Sequence, residues 1–224
     1  MPSFEYTLRR NLREIRRSFY AQQRQALLLV KPSVAASPEV WRCPWCLRDP
    51  VYVQYHDTEW GKLCTDDRKL FECIVLETSQ AGLSWLTVLK KRENYREAFA
   101  GFDPVKVAKF TEADVDRMVT NPGIIRSRAK IKAAINNAKV FLSISKEFDG
   151  FSNYLFSFLP DRKPIHNSVN RLIEIPAHTP ISDRLAVDLK KRGMKFIGSI
   201  ICYAHLQATG YINDHLNKCS FKNS

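Results

Sequence analysis

Leu70-Phe-Glu-Cys-Ile-Val-Leu-Glu-Thr-Ser-Gln-Ala-Gly-Leu-Ser-Trp-Leu-Thr-Val-Leu89 is the stretch that decides the fold. Leu70, Phe71, Ile74, Val75 and Thr78 recur at the three- and four-residue spacing that lines one face of a helix, and Trp85, Val88 and Leu89 take it up again after a break at Ala81-Gly82. The same period continues outward. Asp103-Pro104 places an N-cap before a proline at the first helical position, and Thr111 with Asp114 makes a capping box in which Asp replaces Glu. Asn121-Pro122-Gly123 breaks the chain before a long helical segment from Ile124 to Phe148, kept in phase by Ile131, Ile135, Ala138, Phe141 and Leu142. Ser182 or Asp183 is expected to cap a helix that ends at Gly193, and a last helix runs from about Gly198 to Thr209. Valine and isoleucine nowhere alternate long enough for a strand, so the expected fold class is all-α, with no internal repeat.

The 224 residues hold 45% hydrophobic and 26% charged side chains with only 8 glycines and 11 prolines, which excludes collagen, a wholly disordered chain and a disulfide mini-scaffold. A net charge of +12 favours a polyanionic partner such as nucleic acid or an anionic membrane surface. No apolar run approaches the roughly 18 residues of a membrane span; Ala26 to Val30 is the longest candidate, so no membrane association is expected. Six cysteines with no export signal predict a reducing compartment, where thiols are core residues, metal ligands or redox groups.

Residues 1–40 read as a basic extension and linker ahead of a domain over 41–224. Phe4, Leu8, Leu12, Ile15 and Phe19 share a helical face opposite Arg9, Arg10, Arg13, Arg16 and Arg17. Three readings fit: an organellar transit peptide, an arm on DNA phosphates, or a solvated helix. The lack of a recognisable cleavage site favours the last. Residues 31–39, rich in Pro, Ser and Ala, read as linker.

The stretch Trp41 to Trp60 crowds aromatic residues around Cys43, Cys46 and His56, and His215-Leu-Asn-Lys-Cys219 sets another Cys/His pair near the far end. Cys43, His56, His215 and Cys219 together form a Cys₂His₂ set that suits tetrahedral zinc, although neither half is specific by spacing. All four are expected in or near non-helical segments, where an ion would staple the ends of the domain in a closed, structural site. Cys46 is either an alternative ligand or a small buried residue. Cys43-Pro-Trp-Cys46 also fits a redox C-x-x-C pattern, but the chain lacks the βαβ context of such enzymes. Cys64, Cys73 and Cys202 fall in apolar patterns and read as core.

Taken in order, Tyr52-Val-Gln-Tyr-His-Asp-Thr-Glu-Trp-Gly61, the stretch Leu70 to Trp85, Leu89-Lys-Lys-Arg-Glu-Asn-Tyr-Arg96, Gly123-Ile-Ile-Arg126, Lys190-Lys-Arg-Gly193, Lys195-Phe-Ile-Gly198, Ile201-Cys-Tyr203 and Asn213-Asp-His215 resemble the 3-methyladenine DNA glycosylase I family. The resemblance spans about Trp41 to Cys219. It implies a helix-hairpin-helix glycosylase with one structural zinc per chain on Cys43, His56, His215 and Cys219, and monofunctional hydrolysis of the N-glycosidic bond of N3-methyladenine in DNA. It also implies a base pocket lined by Glu77, Tyr52, Tyr55 and Trp85, with Glu77 contacting the base.

The chemistry of the residues agrees with that expectation. Adenine alkylated at N3 is cationic, so its glycosidic bond is already weakened, and the enzyme needs recognition more than acid catalysis. Tyr52, Tyr55, Trp45 and Trp85 can stack on a flipped cationic base and Glu77 can supply an anion. Trp60 fits packing as well as binding. By ordinary statistics Glu77, isolated on an apolar helix, faces solvent, and tyrosines three apart belong to the core. For DNA, the turn Gln80-Ala-Gly82-Leu83 can push Leu83 into the gap left by the flipped base. Lys190 to Gly198, with Lys195 and Gly198, can bring backbone amides to a phosphate, unless Gly193 is merely a helix C-cap and Gly198 a packing contact. Arg126, Arg128, Lys130 and Lys132 give a positive helix start that is either DNA-facing or solvated. Expected partners are double-stranded DNA carrying alkylated adenine and free 3-methyladenine as product, for a monomer in the bacterial cytoplasm at the nucleoid. The competing classes are a zinc-stapled DNA binder without chemistry and a thiol redox protein.

Overall fold

Capping side chains start most of the helices, and they set the frame of the site. The computed structural model describes residues 40–223; the basic N-terminal helix and the linker of the sequence reading lie outside the described residues. Asp49 accepts from Val51 N to open α1 (Pro50–Thr58), and Asp66 accepts from Lys69 N to open α2 (Asp67–Gln80). Ser84 caps α3 (Trp85–Leu89), which is followed by α4 (Arg92–Ala98). Asp103 receives Val105 N and Lys106 N at α5 (Pro104–Val107), and the Thr111–Asp114 box opens α6 (Glu112–Thr120) as the spacing predicts. Such caps each contribute roughly 1 kcal/mol.

Two boundaries differ from expectation. The long helix α7 (Arg128–Phe148) begins at a Ser127 cap rather than at Ile124, because Ile124 turns into the core and Ile125 N is held by the Tyr95 hydroxyl at 3.1 Å. After α8 (Phe151–Phe156), helix α9 (Pro180–Lys191) is capped by Thr179, not by Ser182 or Asp183; Ser182 sits at the third helical position and returns a bond to Thr179 N. The last helix, α10 (Ser199–Ala208), falls where expected. Helix α1 has no apolar period to announce it, since its buried face is Tyr52, Tyr55 and His56.

The class is all-α but for one small ladder. β1 (Ile165–His166) pairs in parallel with β2 (Ile212–Asn213), Ile165 opposite Ile212, and a Val169–Leu216 bridge extends it. Two residues are too few for alternation to show in sequence. The ladder holds the segment just before His215 against the body of the domain. Nearby Asp214 accepts from Asn167, Gln207 and Tyr203, so this buried carboxylate is spent on structure.

Helix α2 runs through the centre. Leu70, Phe71, Ile74 and Val75 are buried, as their spacing predicts, against Ile131, Ala138 and Phe141 of α7 and Leu206 of α10. Phe71 meets Phe141 edge-on at 5.4 Å, and Phe141 stacks on Phe151 at 4.2 Å. His205 of α10 is 3% exposed in this core, and neither ring nitrogen has a hydrogen-bond partner among the described residues. Burial pushes it down to about 4.

His205 is therefore neutral when folded, while the unfolded chain takes up a proton below about 6.5. Stability is expected to fall as the pH drops from about 6.5 toward about 4. His205→Phe should raise the melting temperature, and by more at pH 5 than at pH 7.5. An equal gain at both pH values would show that His205 does not titrate on unfolding.

Candidate functional site

Two separated pieces of chain meet to build one buried Cys/His cluster. Cys43 precedes the short turn Pro44–Cys46, His56 lies in the last turn of α1, and His215 and Cys219 sit on a tight loop after β2. His56 is thus helical but two residues from the end of α1, so it lies near a non-helical segment while the other three lie in one. All four are buried, with donor atoms within 4.8 Å of one another. Cys43 Sγ lies 3.6 Å and Cys219 Sγ 3.3 Å from His215 Nδ1, and Cys219 Sγ is 3.5 Å from His56 Nε2. A tetrahedral ion with metal–sulfur bonds of about 2.3 Å and metal–nitrogen bonds of about 2.0 Å sets sulfur–nitrogen edges of about 3.5 Å, so the donor set fits.

The surroundings hold the imidazoles in place. His56 Nδ1 meets Asp57 Oδ1 at 2.8 Å, Asp57 takes two bonds from Arg42, and His215 Nε2 meets Trp60 O at 2.9 Å. These contacts leave Nε2 of His56 and Nδ1 of His215 for a metal. Gly61 makes room: a Cβ there would stand 2.7 Å from His215 Cδ2. The Cys219 thiol is pulled down by its hydrogen bond to Cys43 and by the two imidazoles, the state a metal ligand needs. Cys46 is not a fifth member. Its thiol donates to Cys43 O, and burial pushes it up to about 12. The ends of the domain also pair directly, Ser220 N to Trp41 O at 2.9 Å and Trp41 N to Ser220 Oγ at 3.1 Å.

Beside this cluster the four aromatics singled out in the sequence come together. Trp45 lies 5.7 Å from Tyr52 and 6.5 Å from Tyr55, and Tyr55 lies 5.6 Å from Trp85. Tyr52 is tied down, its hydroxyl accepting from Leu86 N at 2.9 Å and from Arg48 at 3.2 Å. Trp60 packs on Trp45 at 5.1 Å and on His215 at 4.6 Å, which accounts for it by packing alone.

Glu77 faces inward, not to solvent. It is 3% exposed, its Oε2 is buried without a partner among the described residues, and burial pushes its carboxyl up to about 8. It lies close enough to Tyr55 to raise that phenol, after burial itself and Cys73. One and a half turns earlier on α2, Glu72 is equally buried but receives Arg92 at 2.6 Å and Arg96 at 3.0 Å. Of two sequestered acids on one helix, Glu72 has its cations and Glu77 has none among the described residues. A cavity of about 570 Å³ shares Tyr55 and Trp85 with the aromatic group and continues past Cys73, Leu76, Leu89 and Arg92; Glu77 is not among its walls. Cys64 and Cys73 line that cavity and are half-buried; Cys73 packs against the cluster of Tyr52, Tyr55 and Leu89 and Cys202 lies in the main core, as expected, whereas Cys64 belongs to neither.

Two turns carry the residues read as DNA contacts. Gln80-Ala-Gly-Leu83 links α2 to α3, with Gly82 at φ +82° exposed at its tip. The turn between α9 and α10 is clamped by α7: Asn137, wholly buried, donates to Lys195 O at 3.0 Å and accepts from Lys195 N at 2.8 Å, while Asn136 donates to Gly193 O at 2.8 Å. Sequence reasoning missed both asparagines; polar residues on the apolar face of α7 were the available signal. Gly193, at φ +98°, ends α9 as the C-cap reading holds. Gly198 is no packing contact, since a Cβ there would meet nothing within 4 Å. Arg128 and Lys132 are paired with Glu112 and Asp116 rather than simply solvated.

A profile of the methyladenine glycosylase family matches residues 45–223. The DNA-3-methyladenine glycosylase of Haemophilus influenzae is 51% identical over 183 residues, 82% of this chain and 98% of the relative. Among solved structures, a 3-methyladenine DNA glycosylase I at 51% identity superposes with a TM-score of 0.77 over 80% of this chain and 98% of its own. A variant of 3-methyladenine DNA glycosylase I in complex with 3-methyladenine is 38% identical, with a TM-score of 0.76 over 79% of this chain and 95% of that one.

The Cys/His geometry makes a direct prediction. Protein purified without chelator should carry close to one equivalent of a divalent metal by elemental analysis, and Cys219→Ser should lose most of it together with several degrees of melting temperature. Less than half an equivalent in the wild type, or an unchanged melt in the variant, would contradict the fit.

Proposed function

The chain belongs to the methyladenine glycosylase family and excises methyladenine from DNA, and from this premise we propose how its own residues perform base excision repair. The substrate is duplex DNA bearing N3-methyladenine, and the products are the free base and an abasic sugar. The observation that carries the reading is Glu77, a buried acid without a cation, beside Tyr55 of an aromatic group.

An adenine methylated at N3 is cationic and leaves as a neutral base, so the enzyme need not protonate its leaving group. Trp45, Tyr52, Tyr55 and Trp85 supply faces for the extruded base, and π-faces attract a cation more than neutral adenine. With no base bound, Glu77 holds its proton at neutral pH, because burial disfavours the carboxylate. An arriving cationic base reverses that balance. Glu77 then ionises, accepts from the base, and stabilises the positive charge that develops on the sugar as water attacks C1′. Glu77 acts by recognition and electrostatics, with little general-base work, and no amine nucleophile is involved.

Zinc is the ion assigned to Cys43, His56, His215 and Cys219. With four protein ligands it would be structural, fixing α1 and its tyrosines to the end of the domain. DNA is held in a helix-hairpin-helix manner by the α9–α10 turn, where open backbone at Gly198 and the Lys195 segment face a phosphate. Gln80, Gly82 and Leu83 enter the duplex where the base has left. The enzyme acts as a monomer in the bacterial cytoplasm.

Glu77→Gln keeps an acceptor and should retain part of the single-turnover rate, and Glu77→Ala less. The wild-type kcat/KM should rise with pH up to about 8, since the cation binds the ionised acid, and Glu77→Gln should flatten that profile. A general base contributes roughly 10²–10⁴-fold, and the loss in Glu77→Gln should fall below that range. If Gln and Ala variants are equally inactive at every pH while binding free 3-methyladenine as wild type does, Glu77 performs proton transfer and this assignment is wrong.

A further inference from the structure

Helix α2 ends in a way that none of its neighbours does. A helix leaves its last four carbonyls without partners inside the helix, and they are usually covered by main-chain amides of the following turn. The C-cap residues of the other described helices each make such a bond, but Ala81, at the C-cap of α2, makes none. The chain instead enters a tight turn: Ala81 at φ −43° and ψ 113°, Gly82 at φ +82°, and Leu83 N returning to Gln80 O at 2.6 Å. These are the angles of a type II turn, which needs glycine at its third position. Ser79 O and Ala81 O remain to be satisfied.

A side chain from another helix does so. Lys130, in the first turn of α7, places Nζ 2.8 Å from Ser79 O and 2.7 Å from Ala81 O. Its neighbours Arg128 and Lys132 are engaged with Glu112 and Asp116, whereas Lys130 forms no ion pair among the described residues. Partial burial pulls its ammonium down from the usual lysine value. An amine giving up hydration for two carbonyls, with no anion in return, is braced against backbone and is not poised in solvent for phosphate. The turn it braces carries Gln80, Gly82 and Leu83.

We propose that Lys130 is a positioning residue for base extrusion: it cross-braces the end of α2 to α7, so that the Gln80–Leu83 turn meets the duplex as a rigid wedge. This rests on the reading of that turn as the element entering DNA. A wedge helps only if it resists the stacked bases it displaces, and a glycine-tipped turn on an uncapped helix end would yield. Two charge-assisted hydrogen bonds from one ammonium supply the stiffness. Lys130 touches neither the base nor the reacting sugar.

The test compares N3-methyladenine paired with thymine in a duplex with the same base in a one-nucleotide bulge, where it is already unstacked. Full-length wild type, Lys130→Met, Lys130→Arg and Leu83→Ala are followed in single turnovers. Binding of free 3-methyladenine, read by calorimetry, checks that the pocket is intact. Lys130→Met should lose roughly tenfold or more on the paired substrate, the scale of one lost charge-assisted bond, while remaining within about twofold of wild type on the bulge and on the free base. Lys130→Arg, which keeps donors, should recover most of the loss. The proposal is overturned if Lys130→Met excises the paired base like wild type while Leu83→Ala does not. Parallel losses on paired, bulged and free base overturn it too, since they mark a general structural role. Equal losses on both DNAs with a salt dependence shallower by about one ion would make Lys130 a phosphate contact instead. If Leu83→Ala and Lys130→Met both leave the paired-to-bulged ratio unchanged, the reading of the turn as a wedge falls, and this proposal with it.

Discussion

Everything near the site depends on two remote stretches of chain being held together. Residues 41–60 carry Trp45, Tyr52, Tyr55 and His56, yet they share little of the main core; residues 212–222 share it only through β2 and its neighbours. The Cys/His cluster, the reciprocal Trp41–Ser220 bonds and the two-residue ladder join them. Without that junction α1 would rest on the small aromatic cluster and on its polar contacts with α3 and α4, Tyr52 to Leu86, Asp49 to Lys90 and Glu59 to Arg92. With it, the aromatic faces stand opposite α2, a helix the core already immobilises.

The second organising feature is a contrast in how one helix treats two buried acids. Taking a carboxylate out of water costs several kcal/mol unless cations repay it. Glu72 has Arg92 and Arg96, and it ties α4 to α2. Glu77 has no such pair and takes the other course, holding its proton. A protein gains no stability from such a group. On the proposed function it gains a position whose charge follows what enters the pocket, in keeping with perturbed carboxyls marking sites of function.

Much of this was readable in the sequence because helices announce themselves through period and caps. Leu70 to Thr78, the Asp103-Pro104 start and the Thr111 box sit where the pattern puts them. Helix α1 escaped because its buried face is two tyrosines and a histidine, which a count of aliphatic residues passes over; the Asp49-Pro50 pair that opens it is the same signature as Asp103-Pro104. The four metal-type ligands could be chosen from their chemistry, but their convergence depends on the parallel ladder, whose two residues per strand carry no period. The inward aim of Glu77 was hidden since spacing places a residue on a helix and not against its neighbours. Asn136 and Asn137 were missed for the opposite reason: on an apolar face they looked like exceptions, and the turn they clamp lies nearly 60 residues away.

The junction of the two ends also has a meaning in time. Cys43 and His215 are 172 residues apart, so a ribosome makes the first half of the cluster long before the second. Helices α2 and α7 can pack as they emerge and Tyr52 can meet Leu86 early, but His56 waits for His215 and Cys219. During synthesis, then, the Cys/His cluster is the last part of this region to close. On the proposed function, the junction that fixes the base-recognising aromatics is complete only with the last turns of the domain, and a chain truncated before them lacks it.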